Sequence, residues 1–319
     1  MVSVVAVSAF ADTFSVTQRE QQKMLEEADN WIDDMPDGMQ DRLSDAVNHA
    51  VEGFYSEINF FRNYNDTIGI GRYKVNVRDI KSTSNPEISL RLYSPNTRND
   101  KKKPLLVYFH GGGWSMGSVN TTERFCRALA SEGNVIVASV SYPLAPEKPF
   151  PLAINSCKST MEFILSKSAE WGSDKSLISL GGDGAGGNLA LDVYQSLPES
   201  LKIRSIVLYY PLINTTGELD QKNKREFGRG YGFDSRLWES FIKAYNGKPS
   251  AFRKTFPPIL LIGAGRDIVV DQQKSFSSNH REAVKYIEFE GAIHGFITDG
   301  HQPTAFNKAV SLTDTFLTK

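Results

Sequence analysis

Hydrophobic and polar positions change their period once along the chain, and the change separates two kinds of element. Between residues 18 and 60 the apolar positions recur at helical spacing. Met24, Leu25, Ala28 and Trp31-Ile32 mark a first amphipathic helix, which Pro36-Asp37-Gly38 ends. Leu43, Ala46, Val47, Ala50, Val51 and Phe54 form the stripe of a second, drawn on through residue 61. Two such helices ahead of any strand predict a lid, so residues 1–60 read as an N-terminal helical cap region and 61–319 as the main domain. Phe60, Phe61 and Tyr64 follow, and two readings stand for them: packing beneath the cap, or the wall of a ligand pocket.

From about residue 70 the period shortens. Residues 72–80 and 88–95 alternate polar and apolar, which predicts half-buried strands. Residues 104–109, 134–143, 176–182, 203–211 and 257–265 are nearly continuous apolar runs, as interior parallel strands covered on both faces require. Helical segments at 122–131, 152–168 and 185–197 lie between them. The alternation predicts an α/β fold, a mostly parallel central sheet flanked by helices. The polar segment 212–251, with a short helix at 238–245, reads as an insertion that completes the cap.

Composition narrows the function classes. Lys plus Arg total 36 and Asp plus Glu 37, so charge gives no reason to expect a nucleic acid partner or an anionic membrane. Lys101, Lys102 and Lys103 read as a solvated loop edge. No apolar run reaches the length of a membrane span. The five histidines form no metal-binding spacing, and no metal or cofactor is expected. Cys126 and Cys157 fall in helical segments and read as buried free thiols, with a disulfide between them left open. The expected location is cytoplasmic; export is the alternative if residues 1–11, ending Ala9-Phe10-Ala11, are the remnant of a signal peptide.

The unusual residues collect at the carboxyl ends of the predicted strands, where open α/β sheets bind ligands. These are His110-Gly111-Gly112-Gly113, Gly182-Asp183-Gly184, Asp267 and His294. The run Gly182–Gly186 aligns with the strand-turn-helix nucleophile elbow, G-x-S-x-G, with Gly184 at the serine's place. A dinucleotide fingerprint through Gly182, Gly184 and Gly187 is disfavoured, because that motif follows the first strand of its unit. Glycines after a buried strand let backbone N–H groups approach a developing oxyanion, and Ala185 adds an N–H from its helix start. The order elbow, Asp267, His294 suits a carboxylate that orients a histidine base. Asp271 is an alternative acid one helical turn on, and the Asp183 side chain is expected to point away from the site.

Together these residues resemble the hormone-sensitive-lipase-like carboxylesterase branch of the α/β-hydrolases. His110-Gly111-Gly112-Gly113 is similar to its oxyanion signature, and residues 182–188 to its elbow at every place but the serine. Residues 142–147 with Phe150-Pro151 resemble another of its segments, with Pro143 where arginine is usual. Gly265-Arg266-Asp267 and His294-Gly295-Phe296 resemble its acid and histidine motifs. The resemblance implies an α/β-hydrolase fold and Ser-His-Asp hydrolysis of short- to medium-chain carboxylic esters. It assigns Gly111, Gly112 and Ala185 to the oxyanion hole and Asp267 and His294 to the acid and base. Gly184 departs from it at the nucleophile, so the chain as written is expected to be nearly inactive. The expected partner is a small-molecule ester or acyl ligand, with a homodimer left open. Two origins fit the glycine: a serine replaced in an active esterase, or a natural catalytically dead relative that acts as a binding module. A third chemistry, water activated by His294 with Asp267, also stands.

Overall fold

The computed structural model describes residues 14–62, 70–83, 85–97, 101–215, 219–248, 250, 252 and 255–319. The tail 1–11 and Tyr64 lie outside them, as do parts of the segment 212–251. The described strands are β1 (Val75–Lys81), β2 (Ser89–Pro95), β3 (Leu105–Phe109), β4 (Ile136–Ser141), β5 (Ile178–Asp183), β6 (Ile206–Tyr209), β7 (Ile259–Arg266) and β8 (Val284–Ile293). They form one sheet in the order β1-β2-β4-β3-β5-β6-β7-β8. The first two pairings are antiparallel and the rest are parallel.

The continuous apolar runs are explained by two cores, one on each face. Leu105, Val107 and Phe109 of β3 enter one core, and Leu106 and Tyr108 enter the other. Helices α5 (Leu152–Lys167) and α6 (Ala185–Ser196) cover the first face. Helices α4 (Glu123–Glu132) and α10 (Pro303–Thr318) cover the second. Each fully buried Leu or Phe contributes about 1.5–3 kcal/mol, so both faces of β3 stabilise the sheet centre. The predicted boundaries of α4, α5 and α6 agree with the structure to within one residue.

Three expectations are corrected. The stripe drawn from residue 39 to 61 is two helices, α2 (Met39–Val51) and α3 (Ser56–Arg62). The chain turns between them at Gly53, φ 95°, and Phe54 is 68% exposed rather than part of the stripe. Polar patterning hid α7 (Gln221–Phe227) within the insertion; its N-cap Asp220 accepts from the N–H groups of Lys222 and Asn223. The inserted helix α8 (Ser235–Tyr245) starts three residues before its predicted place, where Asp234 accepts from Leu237 N–H.

The third correction concerns the first helix, α1 (Gln18–Asp34), which was expected in the cap with α2. Most of its contacts are with β8 and α10. Gln21 donates to the Glu288 carbonyl at 3.0 Å, and Glu27 accepts from Thr304 N–H at 2.9 Å. The Trp31 ring of α1 also reaches the insertion, lying where a Cβ on Gly232 would stand, while the polar contacts to α8 come from α2: Asn48 donates to Ser240 at 3.0 Å and Arg236 pairs with Asp41 at 2.6 Å. An amphipathic stripe states that one face is buried but not which surface covers it. Cys126 and Cys157 are both free and buried. Among the described residues, no helix is long and apolar enough to cross a membrane.

Helix α6 carries an acid that titrates against the fold. Asp192 accepts from Ser250 Oγ at 3.1 Å, and burial pushes its pKa up to about 6 from 3.8. A carboxyl raised in the folded state contributes stability that is full below about pH 4 and is lost as pH rises through about 6. Asp192→Asn should therefore gain on the parent between pH 4 and pH 7, by on the order of 1–3 kcal/mol in urea unfolding. A difference between the two proteins that stays constant across that range would refute the assignment.

Candidate active site

Strand β5 ends in glycine, aspartate and glycine because the chain must turn sharply there into α6. Gly184 takes φ 50°, ψ −116°, a conformation that side-chain-bearing residues rarely adopt. Its N–H donates to the Tyr209 carbonyl at 3.0 Å, and its own carbonyl accepts from Leu212 N–H at 3.0 Å. The turn is thus strapped to the end of β6. A Cβ built on Gly184 would stand 3.2 Å from His294 Nε2 and 3.8 Å from His294 Cε1. Leaving aside its two chain neighbours, no other atom of the described residues lies within 4 Å of that point. The elbow therefore points its missing side chain at the imidazole.

His294 follows β8, and Asp267 follows the neighbouring strand β7. His294 Nδ1 meets Asp267 Oδ2 at 2.7 Å. Asp267 is 1% exposed and also accepts from Val269 N–H at 3.1 Å. A carboxylate on Nδ1 fixes the tautomer that leaves Nε2 as the acceptor, turned toward Gly184. The rings of Phe233 and Tyr210 lie 4.4 and 4.6 Å from the imidazole, centroid to centroid, and wall it in. Asp271 is placed elsewhere, at the start of α9 (Val270–Asn279). Desolvation and the neighbouring Asp220 raise its pKa.

The glycine loop leaves the end of β3, beside the elbow. Its anchor is Asp183, whose Oδ1 accepts from Tyr108 OH at 2.8 Å and from Gly111 N–H at 3.0 Å. Burial dominates over these donors and pushes the Asp183 pKa up to about 6. Two sequence expectations change here. The Asp183 side chain does not turn away but lies beneath the loop. Gly111 N–H, expected as an oxyanion donor, is taken by that carboxylate, because a buried acid must find donors. Among the described residues, the N–H groups of Gly112, Gly113 and Ala185 meet no acceptor. Gly112 holds φ 109°, and a Cβ on Gly113 would overlap the ring of Phe241 on α8. The ring of Tyr142 stacks on His110 at 4.3 Å, and its hydroxyl donates to the His110 carbonyl at 2.7 Å.

A cavity of about 400 Å³ opens against this loop, lined by Met39, Leu43, Phe60, Phe61, Gly112 and Asp183 among others. A larger cavity of about 650 Å³ shares Met39, Phe60 and Phe61 but touches none of the strand-end loops. Both lie along α2 and α3. Arg62 holds α3 in place by donating to the carbonyls of Ser115 and Ala145, both at 2.8 Å, and by pairing with Glu147 at 2.7 Å. Among the described residues, no three His, Cys, Asp or Glu side chains are grouped to hold a metal ion. Sequence reading missed Asp183, Tyr210, Phe233 and Phe241. The only local signal was the position of Asp183 within the elbow motif; the rings come from distant segments.

Known proteins share this architecture. Residues 106–298 match the family described as alpha/beta hydrolase fold. Carboxylesterase NlhH from Mycobacterium tuberculosis is 41% identical over 104 residues, covering 33% of this chain and 32% of that protein. The chain thus matches about a third of that relative's length. An arylesterase from Saccharolobus solfataricus is 29% identical over 238 residues, 69% of this chain and 76% of that protein. The solved Pyrobaculum calidifontis esterase superposes with a TM-score of 0.69 at 26% identity, over 85% of this chain and 92% of that one. The sheet order, the elbow between β5 and α6 and a family match over more than half of the residues lead to one conclusion: this chain belongs to the α/β-hydrolase fold family and has the scaffold of a carboxylesterase or lipase.

Proposed function

We propose that this chain is a carboxylic ester hydrolase scaffold of the hormone-sensitive-lipase-like branch, nearly silent because Gly184 stands at the nucleophile's place. The carrying observation is the 3.2 Å approach of a Gly184 Cβ to His294 Nε2, with Asp267 bound to the other ring nitrogen. A hydroxyl there would lie within reach of a base already oriented for it. Gly112, Gly113 and Ala185 would supply the oxyanion donors, since their N–H groups are not engaged. Helices α2, α3 and α8 would form the cap, and the apolar cavity beneath α2 and α3 suits the acyl part of a short- to medium-chain ester. In serine hydrolases, loss of the nucleophile costs on the order of 10⁶ in kcat, so ester binding would persist while turnover nearly vanishes. The same geometry also supports a second reading, a natural binding module that retains its ester or acid product.

Gly184→Ser is expected to raise hydrolysis of p-nitrophenyl butyrate by roughly 10³-fold or more. The same substitution should lower unfolding stability by about 1–3 kcal/mol, because serine must take the strained φ. A folded Gly184→Ser protein that binds the ester yet is no faster than the parent would sink the hydrolase reading and favour the binding module.

The Asp183 anchor gives a separate test within the Gly184→Ser protein. Asp183→Ala should lower kcat by about 10- to 100-fold with less effect on KM, since the loop donors lose their aim. Asp183→Asn should restore most of the loss, because its amide oxygen still accepts from Gly111 N–H. Equal kcat in all three would show that the anchor does not position the loop.

A further inference from the structure

The space in front of His294 has a consequence beyond the loss of serine. Leaving aside the flanking residues Asp183 and Ala185, the described atoms within 4 Å of the point where a Gly184 side chain would begin are His294 Nε2 and Cε1. Nε2 is thus the polar atom that an oxygen seated over Gly184 would meet, at a hydrogen-bond distance of about 2.8 Å. That nitrogen is the proton-accepting end of an imidazole whose Nδ1 is held by Asp267 at 2.7 Å. The ring is further confined by Phe233 and Tyr210. The N–H groups of Gly112 and Gly113, on the loop after β3, and of Ala185, next to Gly184, have no acceptor among the described residues. A base, a place for a hydroxyl and donors for an oxyanion are thus present together, and none of them needs the serine.

We infer that the chain transfers acyl groups directly to a short primary alcohol such as methanol, seated over Gly184 and deprotonated by His294. The inference rests on the ester-hydrolase reading of the same site. In the first step the alcohol oxygen bonds to the ester carbonyl carbon while its proton passes to His294 Nε2. The carbonyl π pair moves to the oxygen facing the loop donors. In the second step that pair re-forms the carbonyl, the bond to the leaving oxygen breaks, and His294 returns the proton to it. One ester and one alcohol are consumed, and one ester and one alcohol are formed. No bond to the protein forms at any point, so the reaction is a single displacement rather than a two-step exchange through an acyl-enzyme.

Size follows from the same geometry. A free nucleophile keeps van der Waals distance from the Gly184 Cα, whereas a serine hydroxyl is tethered to it, so the tether's positional advantage is lost and the rate falls far below that of a serine enzyme. Filling the position with a methyl group places carbon 3.2 Å from Nε2 and takes up the clearance that the nucleophile's oxygen needs. Alanine at 184 should therefore abolish the reaction rather than leave it unchanged.

The test is release of p-nitrophenol from p-nitrophenyl butyrate by the full chain, with methanol from zero to 1 M and products separated by gas chromatography. The parent is expected to accelerate about threefold or more, to form methyl butyrate, and to show neither a burst nor an acylated mass. His294→Ala and Gly184→Ala, each checked for folding by circular dichroism, should lose the acceleration. His294→Gln serves if His294→Ala does not fold. Methanol-insensitive release by the parent, or equal acceleration in the His294 variants, would overturn the inference. An active Gly184→Ser protein beside a methanol-insensitive parent overturns the inference alone and leaves the hydrolase reading standing. A folded Gly184→Ser protein without activity beside an insensitive parent overturns both. Acceleration that depends on His294 supports direct transfer, whatever Gly184→Ser does.

Discussion

Helix α6 approaches the end of β3 so closely that no side chain fits between them. A Cβ on Gly186 would overlap the carbonyl oxygen of Phe109, the last residue of a strand that is buried along its whole length. That contact forces the chain to leave β5 and enter α6 within a few residues. The sharp turn then imposes the conformation of Gly184, and it carries Asp183 under the loop that follows β3. The elbow and the glycine loop are therefore one packed unit rather than two neighbouring motifs. His294 and Asp267 arrive from the next strands across the sheet, and their position depends on parallel register, not on the turn itself.

Two buried carboxylates serve this unit in different ways. Asp267 pairs with an imidazole, which can take up the charge of a proton transferred during reaction. Asp183 meets only neutral donors, Tyr108 OH and Gly111 N–H, and burial raises its pKa. One acid is placed to support chemistry at a histidine, and the other to hold backbone in place. Their environments separate these tasks although both sit at strand ends in the same cleft.

This division also explains why the architecture tolerates a glycine at 184. The base, the carboxylate behind it and the loop donors each hang from a different strand end, and each is held by contacts that do not involve a residue-184 side chain. A glycine there adopts the turn's positive φ without the strain a side chain would bring, and the packing does not depend on it. The functional outcome is then a matter of what else can occupy the space before Nε2.

Much of this was legible along the chain. Alternation in 72–80 and 88–95, continuous apolar runs in the later strands, and the order of Gly184, Asp267 and His294 are local properties. Backbone preferences and the burial of one or both faces are written into neighbouring residues, so the strands, α4 to α6 and the strand-end cluster could be placed. What lay beyond reach depended on which surfaces meet. The stripe of α1 does not say that β8 will cover it, and Phe54 fits a helical stripe until Gly53 turns the chain. Asp183 was aimed the wrong way because its partner, Gly111, lies 72 residues earlier. The sequence by itself determined the strands, α4 to α6 and the cluster of reactive residues, because those follow from short-range periodicity and turn chemistry. Only the tertiary structure decided which N–H groups are free, which helices overlie the cavity and which rings confine His294. Each of these is settled by long-range packing and by the need of buried polar groups to find partners.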